Sequence, residues 1–308
     1  MTGHDAYRGL PGDERKTMTT RGARDLVRPL RWPLVAALPV GLLVLTFAYP
    51  IALMFARSLT DFVHPDDAGL ANYEWFLTTP AQITILQRTV TASLLVTGLC
   101  ALIGFPYAYL MTVVGFRWRM LLLGAVLMPF WTSLIVRTYS WLILLGDSGP
   151  VTGALRSLGF GEVRLVGTTS AVVIGMTQVL LPFFILPLYA RLLQIDRALL
   201  RAAQIHGASP ATAFRTIYLP LATPGITSGA TIVFIVSLGF YFTPALLGSP
   251  QNSLLSQQIV EQVSRLLAFG RGGAMALVLL VLTLALLGLG ALLTRRFTKA
   301  LGIGSEAR

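Results

Sequence analysis

Six long stretches of this chain carry almost no charge, and no other feature of the sequence restricts its fold as strongly. They run over 33–56, 89–116, 120–146 (interrupted once, at Arg137), 165–190, 221–247 and 272–294. The fifth is cut from a longer charge-free run, 216–260, that exceeds one crossing. At roughly 1.5 Å of helix rise per residue, each is long enough for a hydrocarbon core about 30 Å thick. Of the 308 residues, 12% are charged and 55% hydrophobic, against about 25% charged in a soluble domain. Charges gather between the runs, so the surplus apolar residues read as membrane spans and not as one large soluble core. The expected fold is an all-α membrane protein of six transmembrane helices, 31–308, preceded by a basic tail, 1–30.

An even number of spans puts both termini on one side, and the basic residues choose the side. With the termini inside, the cytoplasmic segments hold the tail arginines, Arg117 and Arg119, Arg191, Arg197, Arg201 and Arg215, and Arg295, Arg296, Lys299 and Arg308, which is most of the 24 basic residues. The first outer loop is acidic, with Asp61, Asp66, Asp67 and Glu74. This bias predicts an N-in, C-in topology. It also accounts for the net charge of +11 as attraction to an anionic inner leaflet, with no nucleic-acid partner. Residues 1–30 lack apolar periodicity and read as a mobile tail. No cleavable leader precedes the first span, which is expected to be an uncleaved anchor, with Met18 an alternative start to Met1. Pro106, Pro129, Pro182, Pro187 and Pro244, with Gly104, Gly175 and Gly239, fall inside the runs and fit a bundle that bends or gates; such residues are also common in membrane helices generally.

Between the fourth and fifth spans lies RLLQIDRALLRAAQIHGASPATAFRTIYLPL, residues 191–221. Asp196 can cap a helix whose apolar face includes Leu199, Leu200 and Ala203. Gly207 suits a left-handed helix end. Ser209 and Pro210 restart a helix as cap and first-turn residue, Phe214 and Ile217 lie three apart on it, and Pro220 is expected to break the chain before the next span. The product is a short helix-turn-helix under the membrane. Physics alone also allows an amphipathic interfacial hairpin, whereas a DNA reader fits poorly, because spans on both sides tether the segment to the bilayer.

This segment resembles the cytoplasmic EAA loop of ABC importer permeases, whose pattern is E-A-A, three residues, G, nine residues, I, one residue, L-P. Ala202, Ala203, Gly207, Ile217, Leu219 and Pro220 match it, while Arg201 stands where the pattern has Glu. The resemblance implies a MetI-like type I importer permease in a bacterial inner membrane. It also implies a coupling loop at 191–220 whose docking residues include Ala202, Ala203, Gly207, Ala208, Ser209, Phe214, Ile217, Leu219 and Pro220. The partners implied are an ABC ATPase dimer carrying ATP and Mg, a second permease, a periplasmic binding protein and the lipid bilayer. No cofactor is expected on this chain, and no enzymatic activity. A P-loop needs Gly-Lys-Ser/Thr, and the two lysines follow Arg15 and Thr298, so ATP must be hydrolysed by another polypeptide.

The stretches PFWTSLIVRTYSWLILLGDSG (129–149) and FYFTPALLG (240–248) resemble the polyamine/opine branch, in particular the first permease of spermidine/putrescine importers. Candidate path residues are Trp131, Arg137, Tyr139, Trp141, Asp147, Tyr241, Phe242 and Glu261. An arginine within a span is a functional candidate by default, with pairing to helix carbonyls or to a partner subunit as its structural role. The aromatics can hold an ammonium by cation–π contact or act as interface anchors. Asp147 and Glu261 can attract a cation or be solvated loop residues. A proton-coupled carrier would show several deep ionisable groups, and only Arg137 comes close. His4, His64 and His206 fall in three separate segments and do not form a catalytic cluster, and no metal site is expected. Cys100, the single cysteine, reads as a small buried hydrophobe.

Overall fold

The structure, a computed structural model, describes residues 32–300, and side-chain burial for 37–292. The expected tail at 1–30 and Arg308 lie outside the described residues. Along the chain come α1 (Trp32–Thr60), α2 (Ala71–Thr78), α3 (Pro80–Val113), α4 (Phe116–Leu127), a 3-10 turn (Met128–Trp131), α5 (Leu134–Leu145), α6 (Pro150–Ser157) and α7 (Thr169–Leu192). There follow α8 (Arg197–Ile205), α9 (Pro210–Ala213), a π turn (Phe214–Tyr218), α10 (Leu219–Leu238), α11 (Phe242–Leu247) and a 3-10 turn (Pro250–Asn252). The chain continues with α12 (Leu255–Val260), a second π turn (Glu261–Arg265) and α13 (Phe269–Ala300). No strand occurs among the described residues, as an apolar solvent demands when no closed barrel is formed.

Two compact units divide at residue 52. The first holds the beginning of α1, whose Leu43, Phe47 and Tyr49 are exposed, the state of an apolar helix that faces lipid. The second, from Leu53 onward, contains the bundle. Its centre is α7: 67% of its apolar window is buried, against 6% for α13. Phe184, Met176, Leu180, Ile185 and Leu188 fill that centre together with Val96, Cys100 and Met111 of α3 and Val233 of α10. The helices approach closely because small residues sit at the crossings. A Cβ on Gly229 of α10 would lie 2.8 Å from the Phe184 carbonyl oxygen, and one on Gly104 of α3 would lie 2.6 Å from the Phe184 ring.

Among the described residues, five helices are long and apolar enough to cross a membrane, and a bent pair counted as one span makes a sixth. Three boundaries differ from the sequence reading. The second span begins at Pro80, not near 89, because Arg88 donates to the Ser253 carbonyl (3.2 Å) and so is accommodated within the helix. The third is not one helix over 120–146. It ends at the Met128–Trp131 turn, resumes at Leu134, and turns by 102°; Thr132 and Ser133 are extended. The fifth stops at Leu238, with α11 a separate helix, where the reading had one continuous helix over 221–247. Pro106, Pro182, Pro187 and Pro224 meanwhile lie inside unbroken helices.

Candidate functional site

Two regions of the second unit carry the candidate residues. The first is the hairpin between α7 and α10. Asp196 adopts an extended cap conformation and its carboxylate accepts from the Ala198 N–H at 2.8 Å, satisfying one of the orphan donors of α8. Gly207 has φ +88°, the left-handed region that a side chain disfavours, and Ala208 N donates back to the Ala203 carbonyl (3.0 Å), closing the end of α8. Ser209 Oγ then accepts from Thr212 N (3.2 Å), with Pro210 opening α9. Pro220 does not break the chain. The helix from Pro210 runs through the π turn into α10 without a bend large enough to divide it. A proline lacks its N–H and its ring crowds the carbonyl four residues back; the wider turn just before it is the kind of local adjustment that accommodates both.

The hairpin's inner face is aromatic. Phe214 and Tyr218 stack at 5.3 Å, and Tyr109 of α3 meets both edge-on, at 5.8 and 5.4 Å. Phe105 meets Phe214 at 6.1 Å. Arg197 adds a hydrogen bond from its guanidinium to the Thr112 carbonyl. On the outer face Leu199, Arg201, Ala202 and Arg215 are exposed, and Ile205 is 84% exposed. Gly207 and Ser209 are also exposed, Ala203, Ala208, Phe214, Ile217 and Pro220 are half-buried, and Leu219 is exposed. The hairpin thus exposes an apolar residue, Ile205, together with Arg201 and Arg215, on a turn stiffened by three caps.

The second region is the broken half. Here α5 packs against α11, so the two interruptions, 128–133 and 239–241, belong to neighbouring elements. Arg137, expected to be buried in a straight helix, is half-buried one turn beyond the first break, where its Nη2 donates to the Thr132 carbonyl (3.4 Å). Its Nε and the Thr243 Oγ1 of α11 are buried without a protein partner. Tyr241 and Phe242 meet edge-on at 5.7 Å. Tyr241 and Glu261 share a cleft of about 540 Å3 with Ser253, Gln257, Gln258 and Arg265.

Not every candidate joins that cleft. Trp131 is 79% exposed, and Tyr139 and Phe242 are also exposed. Trp141 packs inward and donates to Gln178 Oε1 of α7 at 3.4 Å. Asp147 lies in a different, shallow cleft with Arg156, Glu162 and Arg164. Glu261 is paired with Arg265 at 3.4 Å, so its charge is already half-compensated. Sequence reasoning missed Gln257 and Gln258 because the segment after 247 reads as loop. The two glutamines build the start of α12, where Gln257 Oε1 accepts from Leu254 N (2.7 Å) and Gln258 Nε2 donates to Ser253 Oγ (2.9 Å). The aromatic clamp was missed too, although Phe105 and Tyr109, four apart, had the spacing of one helix face.

The described bundle of apolar spans thus carries two distinct features, a polar, interrupted half and a capped hairpin. The family model for the binding-protein-dependent transport system inner membrane component matches residues 35–299. The chain belongs to that family. As a member it is a permease subunit, not an enzyme. The spermidine/putrescine transport system permease protein PotB of Escherichia coli strain K12 is 33% identical over 251 residues, covering 79% of this chain and 90% of PotB. The probable molybdenum ABC transporter permease protein of Haloferax volcanii is 30% identical over 245 residues, covering 79% and 84%. Among solved structures, the bacterial alginate ABC transporter in complex with its alginate pentasaccharide-bound periplasmic protein aligns with TM-score 0.69 at 22% identity, over 90% of this chain and 98% of that one. The MetNI methionine ABC transporter aligns at 0.52 and 22%, over 74% and 97%. These two place the permease in a shared fold.

Proposed function

We propose that this permease forms half of the translocation path of an ATP-driven importer for polyamines such as spermidine and putrescine, oriented in a bacterial inner membrane with both termini inside. The observation that carries the transport mechanism is the α8–α9 hairpin. Its turn requires Gly207 in a left-handed conformation, and its knob, Ile205, is exposed, as are Arg201 and Arg215. The ATPase, with its ATP and Mg, grips this knob. Closure of the ATPase dimer is passed on as a rigid-body push. Ala202, Ala203, Gly207, Ala208, Ser209, Phe214, Ile217, Leu219 and Pro220 form or support that coupling surface. The solute descends between this chain and a second, non-identical permease after release from a periplasmic binding protein.

Support for the solute comes from PotB, whose likeness extends over nine-tenths of its length. The chemistry is compatible. Tyr241 offers a ring face to an ammonium, and Glu261, Gln257 and Gln258 offer acceptors on one cleft. The test is uptake into proteoliposomes holding this chain, its partner permease and ATPase, with the loaded binding protein outside. ATP-dependent accumulation of labelled spermidine is expected. Accumulation of another solute in its place would retain the importer and discard the polyamine, and gradient-driven uptake without ATP would discard both.

A further inference from the structure

We propose that α3 is a transmission rod, joining the ATPase-facing hairpin at one end to the polar cleft at the other. The proposal rests on the importer reading above and extends it to a helix that is not adjacent in sequence to the hairpin or to the cleft. The hairpin is continuous with α7 and α10, so its motion must reach those two. It reaches α3 only through side chains, and there the contacts are specific. Tyr109 meets the stacked Phe214 and Tyr218 edge-on (5.8 and 5.4 Å), Phe105 flanks Phe214 (6.1 Å), and Arg197 donates to the Thr112 carbonyl at the end of α3. Tyr218 is 4% exposed and Phe214 half-buried, while Tyr109 closes the cluster from a more exposed position. An interlocked ring cluster shifts as a unit because packed side chains have discrete arrangements.

At its opposite end α3 holds the cleft just as directly. Thr89 Oγ1, fully buried, accepts from the Leu255 N–H (2.9 Å), and Arg88 Nη1 donates to the Ser253 carbonyl (3.2 Å). Those two backbone groups flank Leu254 at the start of α12, the helix that presents Gln257 and Gln258 to the cleft. Thr89 and Tyr109 are about 30 Å apart at roughly 1.5 Å per residue. The helix between them is unbroken, with Pro106 inside it, and is packed tightly on α7 through Gly104. A push at Tyr109 therefore displaces Ser253 and Leu255, and with them the cleft wall. In this arrangement Tyr109 and Thr89 are positioning residues: neither contacts the ATPase or the solute.

A coupling cycle on the reconstituted importer tests the rod. Tyr109→Leu, Thr89→Val and the double variant are compared with wild type for ATPase co-purification, basal ATP hydrolysis, and solute taken up per ATP. Each single variant is expected to keep the first two and to lower uptake per ATP roughly two- to tenfold, the range that loss of one ring pair or one buried hydrogen bond supports. The double variant is expected to be no worse than the worse single, since both cut one path. Tyr109→Phe retains the ring and should couple as wild type does; if it does not, the ring clamp is not the joint. Multiplicative losses in the double variant, or full coupling in either single, would overturn the rod. A wild-type complex that takes up nothing with ATP would instead overturn the importer reading.

Discussion

The hairpin of α8 and α9 and the broken half around α5, α11 and α12 hold their shapes by opposite means. The hairpin is local. Asp196, Gly207 and Ser209 each act within a few residues of themselves, and the aromatic clamp then ties the finished motif to α3. In the broken half the interruptions lie among side chains from distant parts of the chain. Trp141 reaches Gln178, Asn252 reaches the Gly167 carbonyl, and Ser256 reaches the Phe240 carbonyl. Local capping leaves the hairpin stiff before a partner arrives, which suits the coupling role proposed for it. Interruptions held by a few long-range polar contacts are cheaper to shift than a continuous helix, which suits the proposed path.

That contrast can be broken at several points. The largest effect is expected where neither region is involved and the bundle core itself is struck. Gly229→Val places a branched side chain against the Phe184 backbone, and overpacking of this kind costs about 1–3 kcal/mol or more. Monodisperse protein recovered from detergent should fall sharply, and normal recovery would show that α7 and α10 can separate. Next is Gly207→Val. Nothing crowds the position, so the penalty is backbone strain of about 1–2 kcal/mol. Solute uptake should drop roughly tenfold at unchanged membrane level, and unchanged uptake would remove the hairpin from the coupling role.

A smaller effect is expected at Arg137→Met, which removes the guanidinium that spans the Thr132 break. Uptake should fall several-fold, about what one charge-assisted hydrogen bond of marginal length supports. If a cysteine placed at Thr132 becomes no more reactive in that background, Arg137 does not hold the break. The smallest is Glu261→Gln. Its pair with Arg265 is well exposed, and such pairs contribute about 0–1 kcal/mol. Uptake should change by less than about threefold, with a weaker dependence on ionic strength. A complete loss would make Glu261 the principal cation site, and the two regions would then differ less than their construction implies.

The sequence by itself determined the class of the protein and the caps and turn of the hairpin, but not its continuity with α10 or its aromatic seat on α3. Membrane spans are legible because the bilayer rewards one local property, apolarity over about twenty residues. Caps and left-handed turns are legible because each depends on the chemistry of a single residue in its own backbone. Only the tertiary structure decided where helices stop inside apolar runs. Pro182 and Pro187 leave α7 whole, and Pro220 is absorbed by a π turn, while the run through Pro129 bends by 102°. The same residue type has opposite outcomes because a freed backbone group is tolerated or not according to what packs against it. The grouping of Tyr241 with Gln257, Gln258 and Glu261, the exclusion of Asp147 and Trp141 from it, and the seating of Tyr109 against Phe214 and Tyr218 likewise join residues far apart in the chain. No local pattern encodes those meetings; they exist only once α3, α7 and α10 have packed.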